Sequence, residues 1–383
     1  MGNKIRVGLV YGGRSGEHQV SLQTALAVLK AFDYDRYELI PFYITPKGLW
    51  RSGSLLSAPP SAVAELQFTP SAEEAGGEVS GSGPVTGNAL LPVLQGMSES
   101  VLAEGTSAND GKAIDVMLPL LHGTFGEDGT IQGLFEMAGL PYVGAGVLAS
   151  SVGMDKVAMK TMFAQAGLPQ VGYRHFIRFD WKKNREQVLL NIEELGYPCF
   201  VKPANLGSSV GVSKARNRAE LEAAIEEALR YDRKVIVEEF VDAREIEVSV
   251  LGNDDPRASV PGEICSSNEF YDYKAKYIDG KSVMVIPAEV SPEVAESVRS
   301  MAVKAFRSID GSGLCRADFF LRRSDGALFI NEVNTLPGFT PFSMYPLMWK
   351  ESGVSYRELL DTLIQLALER HEERQSIDYG GGE

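Results

Sequence analysis

Leu314-Cys315-Arg316-Ala317-Asp318-Phe319-Phe320-Leu321 alternates as a half-buried strand does, and so does Ala327-Leu328-Phe329-Ile330-Asn331-Glu332-Val333-Asn334. Between them Ser324-Asp325-Gly326 reads as a three-residue hairpin loop, with Gly326 where a positive φ is needed. A hairpin centred on Asp325 sets Asp318 opposite Glu332 and Arg316 opposite Asn334, all on one face. Two carboxylates opposed across strands repel each other, and a cation between them relieves the repulsion. Asp318, Glu332 and Asn334 then form a hard oxygen set that suits Mg2+ held jointly with phosphates. A solvated polar face on an edge hairpin is the competing reading.

Upstream, Lys202-Pro203-Ala204-Asn205-Leu206-Gly207-Ser208-Ser209-Val210-Gly211-Val212 places a lysine at a strand end before a glycine and serine loop. Backbone amides in such a loop can cradle phosphates while the lysine supplies a point charge. The lysine precedes the loop, so this is not a Walker P-loop. Beside a Mg2+ site the loop favours ATP; by itself it is equally a hairpin with a surface lysine. Lys156 opens a helix predicted over Asp155 to Ala166 and is either a phosphate contact or a solvated first-turn side chain. Val235 to Val241 is a buried strand that runs into Glu238 and Glu239. Such a strand offers backbone to an adenine edge and an acid to the ribose, or is simply a solvated edge. Glu245 starts a further alternating strand.

At the other end, Ile5-Arg6-Val7-Gly8-Leu9-Val10-Tyr11, a glycine turn, a helical period over Val20 to Ala31 and the strand Tyr37 to Ile44 make a βαβ start, hence a parallel sheet. Residues 51–112 break the pattern with Ser, Gly, Ala and Pro and read as a surface insertion. A strand over Ile114 to Leu121 follows. The central part carries strands at Pro198 to Lys202 and Lys234 to Glu238 and a helix at Arg218 to Tyr231. A helix at Pro292 to Ile309, the hairpin and a helix near Tyr356 to Glu372 complete the pattern, before a tail expected to be disordered from Asp378. The expected fold class is mixed α/β (α+β). It has an N-terminal parallel-sheet α/β domain (1–148), a small central α+β domain (149–241) and a larger C-terminal α+β domain (242–383).

Composition narrows the function. At 383 residues the chain can build two or three cores, and its charged content of 23% and hydrophobic content of 44% are ordinary for a globular protein. A formal net charge of -14 argues against nucleic acid and anionic membrane as partners. Three cysteines are too few and too dispersed for a disulfide framework or a zinc site. No apolar run approaches a membrane span, and Ile5 to Tyr11 is too short for a secretion signal. A cytoplasmic location is expected.

Several stretches carry a resemblance. They are Gly12-Gly13-Arg14-Ser15-Gly16-Glu17-His18, Leu121 to Gly129, the Lys202 to Gly211 loop, Phe270 to Tyr277, and Asn331-Glu332-Val333-Asn334-Thr335-Leu336-Pro337-Gly338. In this order they resemble the ATP-grasp enzymes, and among them the D-alanine–D-alanine ligase family. The resemblance implies a three-domain ATP-grasp fold with ATP between the last two domains. It implies that an acyl phosphate made from ATP joins two D-alanine molecules for peptidoglycan precursor synthesis.

Carried over by position, it implies metal ligands at Asp318, Glu332 and Asn334, holding Mg2+ or Mn2+, two ions per site. ATP contacts fall on Lys156, Lys202, Glu238, Glu239, Phe240, Val241, Glu245 and Lys276. The first amino-acid site falls on Glu17 with His122 nearby, and the second on Ser343 and the backbone of Met344. Arg316 and the Gly338 amide would meet an oxyanion, while Ser208 and Tyr277 would bond to Glu17 and tie down a lid over Ser266 to Lys281. That segment is otherwise an Ω-loop. In that family a tyrosine at the place of Tyr277 goes with amine rather than hydroxyl nucleophiles, so the resemblance implies an amine as second nucleophile. A homodimer is implied. Alternatives left open are an ester-forming or other carboxylate–amine ligase, and a nucleotide-binding protein that has lost catalysis.

Overall fold

Strand β1 (Ile5–Gly12) is buried along almost its whole length, which suits the centre of a parallel sheet. In the computed structural model, which describes residues 4–68, 114–265 and 283–378, it pairs in parallel with β2 (Tyr37–Ile44) and with β4 (Val116–Pro119). The helix His18–Ala31 makes the crossover. β3 (Trp50–Ser52) adds antiparallel to β2, giving the order β3-β2-β1-β4. The expected insertion therefore starts too early. Residues 51–68 pack on this sheet, and Leu66 is buried in its core. Their Ser and Pro content hid a short edge strand. Residues 69–113, most of the expected insertion, lie outside the described residues, as does the tail from 379.

The central sheet has the order β5-β8-β6-β7, from β5 (Tyr173–Ile177), β6 (Cys199–Pro203), β7 (Ser213–Ala215) and β8 (Lys234–Glu239). All its pairings are antiparallel. The helix Arg218–Tyr231 covers one face through Leu221, Ala224, Ile225 and Ala228, spaced three and four apart as one helix stripe requires.

The third sheet is antiparallel and runs β12-β11-β9-β13-β14, with β10 (Arg257–Ala258) beside β9. Its strands are β9 (Ala243–Gly252), β11 (Gly262–Cys265), β12 (Val283–Val285), β13 (Gly313–Arg322) and β14 (Leu328–Asn334). Cys315, Ala317, Phe319 and Leu321 point into a core with the helix Pro292–Ser308, leaving Arg316 and Asp318 on the opposite face. Asp318 pairs with Glu332 and Arg316 with Asn334, the pairing expected from the alternation.

The route to that register differs from the expectation. The chain turns over four residues between Arg322 and Ala327, so Phe320 meets Phe329 and Leu321 meets Leu328. An irregularity between Asp318 and Phe319 takes up one residue at Asn331 and restores the pairing of Asp318 with Glu332. Ile330 and Val333, three apart, are both buried for this reason. Gly326 has φ 73°, as the turn needs.

The C-terminal helix Tyr356–Gln375 returns to the first sheet, where Leu359, Leu360, Leu363 and Ile364 share a core with Val7, Leu9 and Val28. No helix among the described residues is long and apolar enough to cross a membrane.

Candidate active site

Lys202 sits near the end of β6 and the loop that follows turns sharply, with Ser208 and Ser209 at φ 52° and 57°. Asn205 holds the start of the loop by donating backbone and side-chain N–H to the Asp232 carboxylate at 2.8 and 2.9 Å. Lys156 begins the helix Lys156–Gln165, whose N-cap Asp155 accepts from the amides of Val157 and Ala158 at 3.1 Å. Its ammonium donates to the Leu206 carbonyl at 2.9 Å and lies 3.8 Å from Glu332. The solvated reading of Lys156 is thus overturned: the side chain ties the glycine loop to the hairpin.

Behind Lys202 the Glu238 carboxylate is buried between two ammonium groups, 2.5 Å from Lys202 and 3.0 Å from Lys160. Burial by itself would raise its pKa; the two lysines prevail and hold it at about 2. Burial likewise opposes the charge on Lys202, yet Glu238 and Glu332 raise its pKa. The Glu238 side chain is therefore committed to lysines. Glu239 accepts from the Gly172 amide at 2.6 Å. Phe240 remains partly exposed, with Phe200 at 6.2 Å and the Lys214 ammonium over its ring at 4.3 Å.

On the hairpin, Asp318 is flanked by Glu247 on β9 and Glu332 on β14, a row of acids across three strands. Arg316 forks onto Asp318 with two bonds of 2.7 Å and lies 3.1 Å from Glu247. Burial disfavours its charge, but Asp318 and Glu247 raise its pKa well above the ordinary value, so it stays cationic. Arg316 and Lys156 supply positive charge to these acids from the chain itself. Asn334 accepts from the Leu336 amide at 2.9 Å. Among the described residues no group of three or more His, Cys, Asp or Glu is arranged to hold a metal. The donor set of Asp318, Glu332 and the Asn334 amide oxygen nevertheless fits Mg2+ or Mn2+ chemically, on one polar face beside two lysines.

On the side of the first sheet, Glu17 ends the glycine turn after β1 and accepts a short hydrogen bond from the Ser208 hydroxyl. Ser15 fixes this turn: its hydroxyl donates to the His122 carbonyl at 2.5 Å and accepts from the Glu17 amide at 3.2 Å. Gly123, at φ 76°, runs so close that a Cβ there would sit 2.7 Å from the Glu17 carboxylate. His122 is buried, with Nε2 3.2 Å from the Thr24 hydroxyl and Nδ1 3.6 Å from Glu127. Burial works against imidazolium, but Glu127 and Glu17 outweigh it and the His122 pKa is raised. Burial raises the Glu127 pKa, and the nearby Glu17 charge adds to this.

Ser343 is the N-cap of the helix Met344–Glu351 and its hydroxyl is 2.8 Å from that of Thr340. A Cβ on Gly338 would lie 3.1 Å from the Ser343 hydroxyl, so the two face each other. The backbone amides of Met344 and Tyr345 open this helix ahead of Pro346, and a helix N-terminus favours a carboxylate.

Two cavities of about 420 Å³ each adjoin here. One is lined by Glu17, His122, Gly338, Ser343 and Met344. The other is lined by Lys202, Glu238, Glu239, Phe240, Val241, Glu245 and Asp318. Lys156, Ser208, Arg316 and Glu332 line both, as do Gly207 and Glu247. The structure thus brings together every expected site residue except Lys276 and Tyr277, which, with the expected lid, fall in 266–282 outside the described residues. Four residues escaped the sequence reading. Thr24 and Glu127 flank His122, Glu247 adjoins Arg316, and Lys160 pairs with Glu238. Glu127 lies within a stretch already singled out, and Lys160 one helical turn beyond Lys156, which was the available signal.

Family models and known proteins match this chain over most of its length. A family described as D-ala D-ala ligase N-terminus matches residues 6–145, and one described as D-ala D-ala ligase C-terminus matches 162–365. A protein of Bacillus licheniformis named D-alanine–D-alanine ligase is 56% identical over 377 residues, 98% of this chain and 99% of its own length. The solved D-alanine-D-alanine ligase of Coxiella burnetii superposes with a TM-score of 0.77 at 32% identity, covering 97% of this chain and 96% of its own. The VanG D-Ala:D-Ser ligase of Enterococcus faecalis gives 0.74 at 34%, covering 95% and 100%.

Proposed function

The chain belongs to the D-alanine–D-alanine ligase family, and from that premise we propose that it joins two D-alanine molecules at the expense of ATP, giving D-alanyl-D-alanine, ADP and phosphate for peptidoglycan precursor synthesis. The observation that carries this is the pair of cavities meeting at Lys156, Ser208, Arg316 and Glu332. One chamber suits a nucleotide and the other two small zwitterions, with the cations for phosphoryl transfer at their junction.

A carboxylate is a poor electrophile at neutral pH. In this reading a carboxylate oxygen of the first D-alanine attacks the γ-phosphorus and ADP leaves. The neutral amine of the second D-alanine then attacks the acyl carbon, and phosphate departs with the oxygen it gained while the nitrogen releases one proton to the leaving phosphate or to water. Lys156 and Lys202 neutralise charge on the transferring group. Glu17, held by Ser208, pairs with the first ammonium beside His122. Arg316 and the Gly338 amide meet the tetrahedral oxyanion. Ser343 and the Met344 amide hold the second carboxylate. Asp318, Glu332 and Asn334 would hold Mg2+ or Mn2+, which supplies charge neutralisation on the phosphates. By family resemblance Lys276 is proposed as a further nucleotide contact and Tyr277 as a further partner of Glu17. The units 1–148, 149–241 and 242–383 are proposed as its domains, working as a cytoplasmic homodimer.

Product analysis tests the reading. Purified protein with ATP, Mg2+ and D-alanine is expected to release ADP and D-alanyl-D-alanine in equal amounts, and equimolar D-lactate or D-serine should not displace the dipeptide as main product. A dominant ester or D-alanyl-D-serine would reassign the second substrate; no D-alanine-dependent ADP would end the ligase reading.

A further inference from the structure

Lys160 does not line either cavity, yet its ammonium is among the most deeply buried charges of the described residues, with the side chain 1% exposed. It projects from the same helix as Lys156, one turn later. Its Nζ lies 3.0 Å from one oxygen of Glu238 and 5.6 Å from the centre of the Tyr173 ring. The other Glu238 oxygen is 2.5 Å from Lys202, which does line the nucleotide chamber. Burying an ammonium is costly, and one lysine would have been enough to balance one carboxylate. Two lysines against one acid leave a net positive charge.

The surroundings make that surplus matter. Lys202 also feels Glu245 and Glu332, and Asp318 lines the same chamber. With Lys160 absent, Lys202 would face these acids already spent on Glu238, in a chamber meant for a polyanion.

We propose that Lys160 is a positioning residue for nucleotide binding: by neutralising Glu238 from behind, it keeps the Lys202 charge available to the phosphates. The inference rests on assigning the Lys202 chamber to ATP.

The test measures KM for ATP and for D-alanine in wild type, K160M, K160R and K202M, with ADP and adenosine binding by calorimetry. Met matches the length of the lysine stem without its charge; should K160M not fold, K160Q takes its place. K160M is expected to raise the ATP KM about tenfold and weaken ADP, while the adenosine affinity and the D-alanine KM stay within about twofold. K160R should restore most of the ATP affinity. An unchanged ATP KM in K160M beside a raised one in K202M overturns the role of Lys160 alone. Equal losses for ATP and D-alanine with a lowered Tm also overturn it, since they would mark a purely structural lysine. An unchanged ATP KM in K202M removes the chamber assignment, and the inference with it.

Discussion

Glu332 stands opposite Asp318 and 3.8 Å from Lys156, at the junction of the two cavities. Replacing it with Gln keeps the shape and removes one charge. Glu332→Gln is expected to lower kcat by about a hundredfold or more while Tm moves by only a few degrees; near wild-type turnover would show that Glu332 takes no part in the chemistry. Glu238 makes a different prediction. Its folded pKa of about 2 lies below the ordinary 4.5, so its stabilising effect is complete above the unfolded value and is lost as pH falls toward 2. Urea unfolding should show wild type losing more stability than Glu238→Gln between about pH 6 and pH 3; equal losses would contradict the lysine clamp. At this scale the motif residues were legible because each carries chemistry in its type: acids, a lysine before glycines, an amide. Lys160 and Glu247 were not, because their meaning depends on what a neighbouring strand sets beside them.

Elements were legible where one periodicity dominated. The helices Arg218–Tyr231 and Pro292–Ser308 and the strand Tyr37–Ile44 follow their patterns closely. The hairpin shows the limit. Alternation supplied the pairing of Asp318 with Glu332, but that pairing needs a four-residue turn and an irregularity at Asn331, which alternation does not encode. The edge strand Trp50–Ser52 is three residues long and carries no period of its own. A cap makes the prediction here. Asp155 accepts two amides of the helix that presents Lys156 and also pairs with Lys234. Asp155→Ala should cost about 1–2 kcal/mol in chemical denaturation and raise the ATP KM several-fold by loosening the first turn. A destabilised variant with an unchanged ATP KM would separate the cap from the site.

For the whole molecule, the site exists only because three sheets converge. Ser208 from the central sheet's loop reaches Glu17 of the first, and Lys156 reaches Glu332 of the third. The C-terminal helix closes the core of the first sheet, a return no local pattern announces. Ligands that bridge the sheets should therefore stabilise the whole: ADP at about a hundred times its Kd adds about 2.7 kcal/mol, read as a Tm rise of several degrees that K202M loses. A rise retained in K202M would place the nucleotide elsewhere. In the proposed reaction the first carboxylate is phosphorylated where the chambers meet. D-alanine labelled with 18O in its carboxylate, turned over with unlabelled ATP, tests this by mass spectrometry of the released phosphate. One labelled oxygen per phosphate is the predicted result, and phosphate free of label would contradict the acyl phosphate route.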